Sequence, residues 1–278
     1  MSSTPPDPSA ANTDHSSVHH LMRSVRITRL TEKRKERVED LLIREERFDL
    51  YLNGKHLIAL VCLPSDLKAF IVGFLVNEGI LSAPYTVDLD IDEAAARIDA
   101  HGDFHDTAIQ DFFAKKTLTS GCGSGVTGQD LEEPIPCLKV DTDFRIQREV
   151  ISNFMHVMKE EASLFQQTGG AHIAALADAQ GRLLMKTEDI GRHTAVDKVI
   201  GMALLSGIDP SRCVLFSSGR LSSEITAKAI HARTPVLVSR GAPTDLAVRL
   251  ARRFLLTLVG FARGRRMNIY SAAERIIE

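Results

Sequence analysis

Tryptophan is absent from the 278 residues, and aromatic side chains make up only 5% of them. Surfaces that stack successive bases of a single strand are built from aromatics, so the composition argues against such a role. The formal net charge is -2, which leaves no global field to draw nucleic acid; any anion site must be local. No run reaches the roughly 18 apolar residues of a membrane span. Residues 1–20 lack the apolar stretch of a signal peptide, so no secretory leader is expected. The four cysteines, Cys62, Cys122, Cys137 and Cys213, form no C-x-x-C pair and no disulfide-like spacing. A reducing cytoplasm is the expected compartment, where a free thiol stays usable. What remains, 44% apolar and 25% charged, is ordinary for a soluble globular chain with one large domain or two small ones.

One stretch stands apart from any core. Thr119-Ser120-Gly121-Cys122-Gly123-Ser124-Gly125-Val126-Thr127-Gly128 holds four glycines, one thiol and almost nothing apolar to bury. Ordering it costs entropy that no packing returns, so it reads as a surface loop of the kind that carries chemistry on a rigid scaffold. Gly123-x-Gly125-x-x-Gly128 matches the dinucleotide fingerprint, which needs a strand before it and a helix after it. Instead Gln129-Asp130-Leu131-Glu132-Glu133-Pro134-Ile135-Pro136 follows, and prolines and acids do not open a phosphate-binding helix. Two readings stay open: Cys122 is a presented nucleophile, or the stretch is a glycine-rich linker with an incidental thiol. Lys115 and Lys116 precede it and would lower the thiol pKa if folded near it.

Residues 1–20 are rich in Ser, Pro, Asp and Ala and are expected to be disordered. A smaller α+β region is expected over 21–145. Ser24–Arg34 alternates as a strand, and 48–52 and 56–62 flank Asn53-Gly54, a two-residue hairpin turn. A helix opens after Pro64-Ser65-Asp66, with Leu67, Phe70, Ile71, Phe74 and Leu75 on one face and Glu78-Gly79 at its end. Residues 87–98 add one strand or helix. Cys62 is expected in the core.

Residues 146–278 read as a C-terminal α/β domain. One helix spans about 147–167, with Met155 and Met158 as core filling. Strands at 172–177, 183–186, 213–216, 235–239, 256–261 and 267–270 then alternate with helices bearing Val196, Val199 and Ile200, then Leu221, Ile225 and Ala229, then Leu246, Leu250 and Phe254. Alternation of this kind predicts a sheet covered on both faces, with Cys213 inert in a central strand. The strand-to-helix turns Asp189–His193, Ser217–Arg220 and Ser239–Pro243 each carry Gly and Arg. In an open α/β sheet such turns gather at the carboxyl edge, the usual ligand crevice, where arginine forks suit phosphate. Phe261-Ala262-Arg263-Gly264-Arg265-Arg266 adds three guanidinium groups around a glycine. Arg249, Arg252 and Arg253 lie on the polar face of the helix before it. A zinc deaminase needs H-x-E and then P-C-x-x-C; here Ala174 stands where the Glu belongs after His172, and no P-C-x-x-C follows, so no catalytic zinc is expected.

Taken together, the Gly-Cys-Gly loop, Thr168-Gly169-Gly170-x-His172, Glu188–Lys198 (EDIGRHTAVDK), the Ser-Gly-Arg-x-Ser turn at 218–222 and the tail from Phe261 to Tyr270 resemble the formate dehydrogenase accessory sulfurtransferases, the FdhD/NarQ family. The resemblance covers nearly all of the chain after residue 20. It implies a cytoplasmic sulfur carrier that takes sulfane sulfur from a cysteine desulfurase as a persulfide on a loop cysteine. The sulfur goes to the molybdenum or tungsten bis-pterin guanine dinucleotide cofactor (Mo-bis(molybdopterin guanine dinucleotide)) of formate dehydrogenase. It also implies a cytidine-deaminase-like α/β/α C-terminal domain that binds the cofactor through its guanine nucleotide ends. Cys122 matches the persulfide cysteine, and Phe261, Ala262, Arg263, Gly264, Arg265 and Arg266 match the cofactor-binding stretch. No resident metal, nucleic-acid partner or membrane is implied, and a homodimer stays open. Many relatives have Cys-Gly-x-Cys in the loop; here Gly125 replaces the second Cys, so Cys122 must act alone. Thr194 stands where many relatives have Asn. The rival reading is a cofactor-binding chaperone in which Cys122 is incidental.

Overall fold

The structure, a computed structural model, describes residues 20–114, 139–140 and 142–278. Cys122, its loop, Lys115, Lys116 and all of the expected N-terminal tail except His20 lie outside the described residues. Met22–Leu30 (β1) and Lys35–Ile43 (β2) pair antiparallel, Met22 opposite Ile43. Glu46–Leu52 (β3) and Lys55–Cys62 (β4) form the expected hairpin, with Asn53 at φ 47° and Gly54 at φ 81°. Both central residues of a type I′ turn need positive φ, which this dipeptide tolerates. Leu67–Asn77 (α1) follows, and then Val87–Asp92 (β5), Arg97–Gly102 (β6) and Asp106–Ala114 (α2). The stretch read as one element at 87–98 is therefore two strands. The four-stranded sheet runs β4-β3-β6-β5. Phe48, Leu50, Ile98 and Ala100 bury one of its faces against Phe70, Ile71, Phe74 and Leu75 of α1.

A six-stranded sheet and a small two-stranded one take most of the rest of the described chain. Ile146–Gln147 (β7) leads into Arg148–Glu161 (α3) and Ser163–Thr168 (α4). One continuous helix was expected here; it breaks at Ala162, whose ψ is 67°. The cause is tertiary: the Glu188 carboxylate accepts the N–H groups of Leu164 and Phe165 at 2.9 Å each, capping a new helix start. Next come His172–Ala177 (β8), Leu183–Asp189 (β9), Arg192–Leu205 (α5), Val214–Ser217 (β10) and Ser223–His231 (α6). Val236–Ser239 (β11), Asp245–Arg253 (α7), Thr257–Arg263 (β12), Arg266–Ser271 (β13) and Ile276–Ile277 (β14) complete the fold. The sheet order is β13-β12-β11-β10-β8-β9, with β10, β11 and β12 parallel and β8 antiparallel to both neighbours. Helices α5, α6 and α7 cover one face through Val199, Ile225 and Leu250 against Leu176, Leu215 and Leu237. Helix α3 covers the other, where Phe154 stacks on Phe216 with ring centroids 4.2 Å apart. This is the expected α/β/α layering. Strand β14 pairs with β7 and ties residue 276 to the start of α3. Among the described residues, no helix is long and apolar enough to cross a membrane.

The two sheets are joined by α1 against α5. A Cβ built on Gly73 would lie 1.9 Å from the Asp197 carbonyl oxygen, and one on Gly201 would lie 1.9 Å from that of Ala69. The helices touch backbone to backbone. Beside the crossing is a fully buried ion pair, Lys198 Nζ to Asp189 Oδ2 at 2.7 Å. Both partners also hold the turn after β4: Lys198 Nζ donates to the Leu63 carbonyl at 2.9 Å, and Leu63 N–H donates to Asp189 Oδ2 at 3.1 Å. A second buried pair, Lys228 to Asp197 at 2.8 Å, is joined by Asn77 donating to Asp197 Oδ1 at 2.6 Å. Removing one member of such a pair strands a charge in the interior, which costs about 3–5 kcal/mol. Lys198→Met should lower stability by that amount in urea unfolding, and adding Asp189→Asn should recover part of it. A loss under about 1 kcal/mol would show that the pair is not buried as described.

Candidate functional site

Strand direction decides where the polar turns meet. The carboxyl ends of β9, β10, β11 and β12 and the amino end of β8 lie on one edge. Along that edge the order is Arg263 at the end of β12, Arg240 after β11, Ser218 after β10 and His172 opening β8. The carboxyl-edge crevice expected from the alternating pattern is therefore present, as a cavity of about 650 Å³ that opens there. His172, Ser218, Arg240 and Arg263 line it from the sheet side, Ile190 and Gly241 beside them. Met155, Met158 and Phe165 of α3 and α4 wall the other side, with Lys159 at hand. Both methionines are buried, as core filling requires, yet they also face this space. The volume suits a small-molecule site.

Each polar lining group has a local cause. Ser218 Oγ accepts the Ile173 N–H at 3.1 Å and lies 3.1 Å from His172 Nδ1, while Ser218 N–H donates to the Ile173 carbonyl. This lacing pins the β10 turn to β8. Burial, and then the nearby Arg192 charge, push the His172 pKa down, so the ring is neutral at physiological pH. Arg263 Nη2 donates to the Arg240 carbonyl at 3.4 Å, which draws the two arginines to one end of the cavity.

The six residues of the basic stretch separate. Phe261 sits at φ 52°, a conformation uncommon for a bulky residue, and its N–H donates to the Gly241 carbonyl at 3.0 Å. Ala262 is core. Gly264 turns the β12–β13 hairpin, and Arg265 and Arg266 are exposed on it. Of these six, Arg263 alone lines the cavity. Of the three turn arginines, Arg240 alone does. Arg220 is exposed outside it, and the Arg192 side chain lies over Gly219, where an added Cβ would meet its Cδ at 2.8 Å. The turn glycines are there for close approach: a Cβ on Gly241 would sit 2.6 Å from the Gly219 carbonyl oxygen. The outer arginines of α7 are engaged locally, Arg249 with Asp245 and Arg252 with the Tyr270 carbonyl at 3.2 Å.

Glu188–Lys198, the most distinctive block of the sequence, is largely architectural. Glu188 caps α4, Asp189 and Lys198 hold the turn at Leu63, and Asp197 holds Asn77 and Lys228. His193 Nε2 lies 3.2 Å from Glu224 Oε2, yet burial and the Lys228 charge push its pKa down to about 3, so it is a neutral structural ring. Burial raises the Cys62 thiol to about 12 and the Cys213 thiol to about 11. Neither is a nucleophile at neutral pH. The sequence marked His172 and Ser218 separately, each in a glycine-rich motif of the same sheet edge, and not as a pair.

A model of the FdhD/NarQ family matches residues 43–277. A protein of Wolinella succinogenes named "Sulfur carrier protein FdhD" is 42% identical over 241 residues, 86% of this chain and 83% of that one. The protein of the same name from Bacillus subtilis (strain 168) is 33% identical over 243 residues, 87% of this chain and 92% of its own. The solved structure of a candidate formate dehydrogenase accessory protein from Desulfotalea psychrophila superposes with a TM-score of 0.74 at 25% identity, covering 92% of this chain and 100% of that one.

Proposed function

The chain belongs to the FdhD/NarQ family, and on that premise we propose that it is a sulfur carrier serving formate dehydrogenase maturation. The sulfur rides on Cys122. The Cys122 thiolate attacks the outer sulfur of a cysteine desulfurase persulfide; the S–S bond there breaks, the desulfurase cysteine leaves as thiolate, and a persulfide forms on Cys122. A reference thiol is only a few per cent ionised at neutral pH, so a neighbouring cation would raise the rate. The client is the bis-pterin guanine dinucleotide cofactor, which is substrate here and supplies the metal that receives the sulfur.

The observation that carries this reading is the cavity. A near-neutral protein places Arg240 and Arg263 together at one end of a 650 Å³ space walled elsewhere by Met155, Met158 and Phe165. Cationic forks beside an apolar slot suit a phosphate joined to a flat ring. The space holds one nucleotide end of the cofactor; the rest extends outside it. Hydrogen bonds to charged groups contribute about 1.5–3 kcal/mol. Arg240→Ala and Arg263→Ala should therefore each weaken GDP binding by about 10- to 100-fold in calorimetry. The wild-type affinity should also fall with added salt. Unchanged affinity in both variants would place the nucleotide elsewhere.

A further inference from the structure

The apolar wall of the cavity stands on a weak element. Phe165 lines the space, yet it is 52% exposed, so little packing holds its ring in place. It belongs to α4, which has six residues, too few for a helix that is stable alone. Leu164 beside it turns the other way, into the small cluster with Met22 and Leu63. The position of Phe165 is therefore set through its main chain.

Strand β9 does the setting. Lys186 and Glu188 are two residues apart and share one face of this edge strand. Lys186 pairs with Glu161 just before the break at Ala162, and Glu188 takes the chain just after it. One Glu188 oxygen accepts the Leu164 N–H at 2.9 Å and the Ser163 hydroxyl at 3.3 Å; the other accepts the Phe165 N–H at 2.9 Å. Both carboxylate oxygens are used, and a glutamine would offer one acceptor in place of two. The grip lies on the flank of the cavity: Glu188 is opposite Ile173 in register, and Ile173 and Ile190 are lining residues.

Resting on the reading of this cavity as a nucleotide site, we propose that Glu188 is a positioning residue for ligand binding. Its carboxylate holds the start of α4 so that Phe165 closes the apolar side over the ring of the ligand. The phosphates, held by Arg240 and Arg263 across the cavity, do not depend on it. Glu188 touches no ligand itself; it acts through the Phe165 main chain.

Calorimetric titration of the full chain with GDP and with inorganic pyrophosphate, in wild type, Glu188→Ala, Phe165→Ala and the double variant, tests this. Each single variant should weaken GDP about tenfold, the loss of one base–aromatic contact. Pyrophosphate affinity should stay within about twofold of wild type in both. The double variant should bind GDP no more than about twofold worse than either single one, because both changes remove the same contact. A merely structural role for Glu188 would lower pyrophosphate binding as well, or would add to the Phe165 effect; either result, or unchanged GDP affinity in Glu188→Ala, overturns the inference and leaves the nucleotide site standing. Should Glu188→Ala not fold, Glu188→Gln decides: a loss confined to GDP supports the inference, and any other pattern overturns it. A wild-type chain that binds neither GDP nor pyrophosphate overturns the nucleotide site together with it.

Discussion

Cys122→Ala should leave the protein folded and reduce its activation of formate dehydrogenase to background, a loss of more than about a thousandfold, as when a covalent nucleophile is removed. The two halves of that expectation have separate grounds. Thr119–Gly128 has almost no apolar side chain to bury, so by its composition replacing a small thiol there is expected to move stability by less than about 0.5 kcal/mol. The loss of function should be complete because no reactive substitute thiol is at hand among the described residues. On the family resemblance, Gly125 stands where a second loop cysteine would be expected. Cys62 and Cys213 are buried and held protonated, with pKa values pushed up to about 12 and about 11. The comparison is made in cells lacking the native protein, with formate dehydrogenase activity as the readout and thermal unfolding as the control. Activity above about a tenth of wild type would mean that sulfur reaches the cofactor by another route.

Gly201→Ala should be among the most damaging single-methyl additions at the described glycines. The built Cβ meets the Ala69 carbonyl oxygen at 1.9 Å and the Gly73 amide nitrogen at 2.8 Å. These are main-chain atoms, so no rotamer change relieves the clash; α1 and α5 must move apart. Separation would pull Asn77 from Asp197 and the Leu63 turn from Asp189 and Lys198, undoing two buried polar networks together. Overpacking alone costs about 1–3 kcal/mol, and with those networks strained a loss above about 3 kcal/mol is expected, or a fall of roughly 10 °C in Tm for a chain of this size. Gly73→Ala, which meets the Asp197 carbonyl from the other side, should behave alike. Leu205→Ala serves as the control on α5: its side chain is 46% exposed, so a change within about 0.5 kcal/mol is expected. Equal effects at Gly201 and Leu205 would show that the helices do not cross as closely as described.

Local signals in the sequence carried much of this fold. Asn53-Gly54 marks its hairpin because few other dipeptides accept two positive φ angles. The alternation of strands and helices after residue 172 yields the layered sheet, and the chain direction of those strands gathers the polar turns on one edge. What escaped depends on distant partners. Strand β2, Lys35–Ile43, is rich in charge and only partly covered, so its alternation carries little contrast. The break at Ala162 comes from a carboxylate 24 residues further on, at Leu164 from Glu188. Asp189 and Lys198 look like site residues by type, and only their contacts with Leu63 reveal a buried joint between the sheets. The basic stretch was legible as a unit, but β-strand alternation and the hairpin turn send Arg263 to the cavity and Arg265 and Arg266 to solvent. His172 drew notice as a missing zinc motif; its pairing with Ser218 spans 46 residues and was visible only in the fold.

The most direct test of the central claim is the intact mass of the purified chain after incubation with a cysteine desulfurase and free cysteine, wild type beside Cys122→Ala. The account predicts a gain of ~32 Da, one sulfur atom, on the wild type, reversed by a thiol reductant as a persulfide is, and no gain on the variant. A wild-type chain that gains no mass, or a gain that persists in Cys122→Ala, would contradict it and leave a cofactor-binding chaperone in its place.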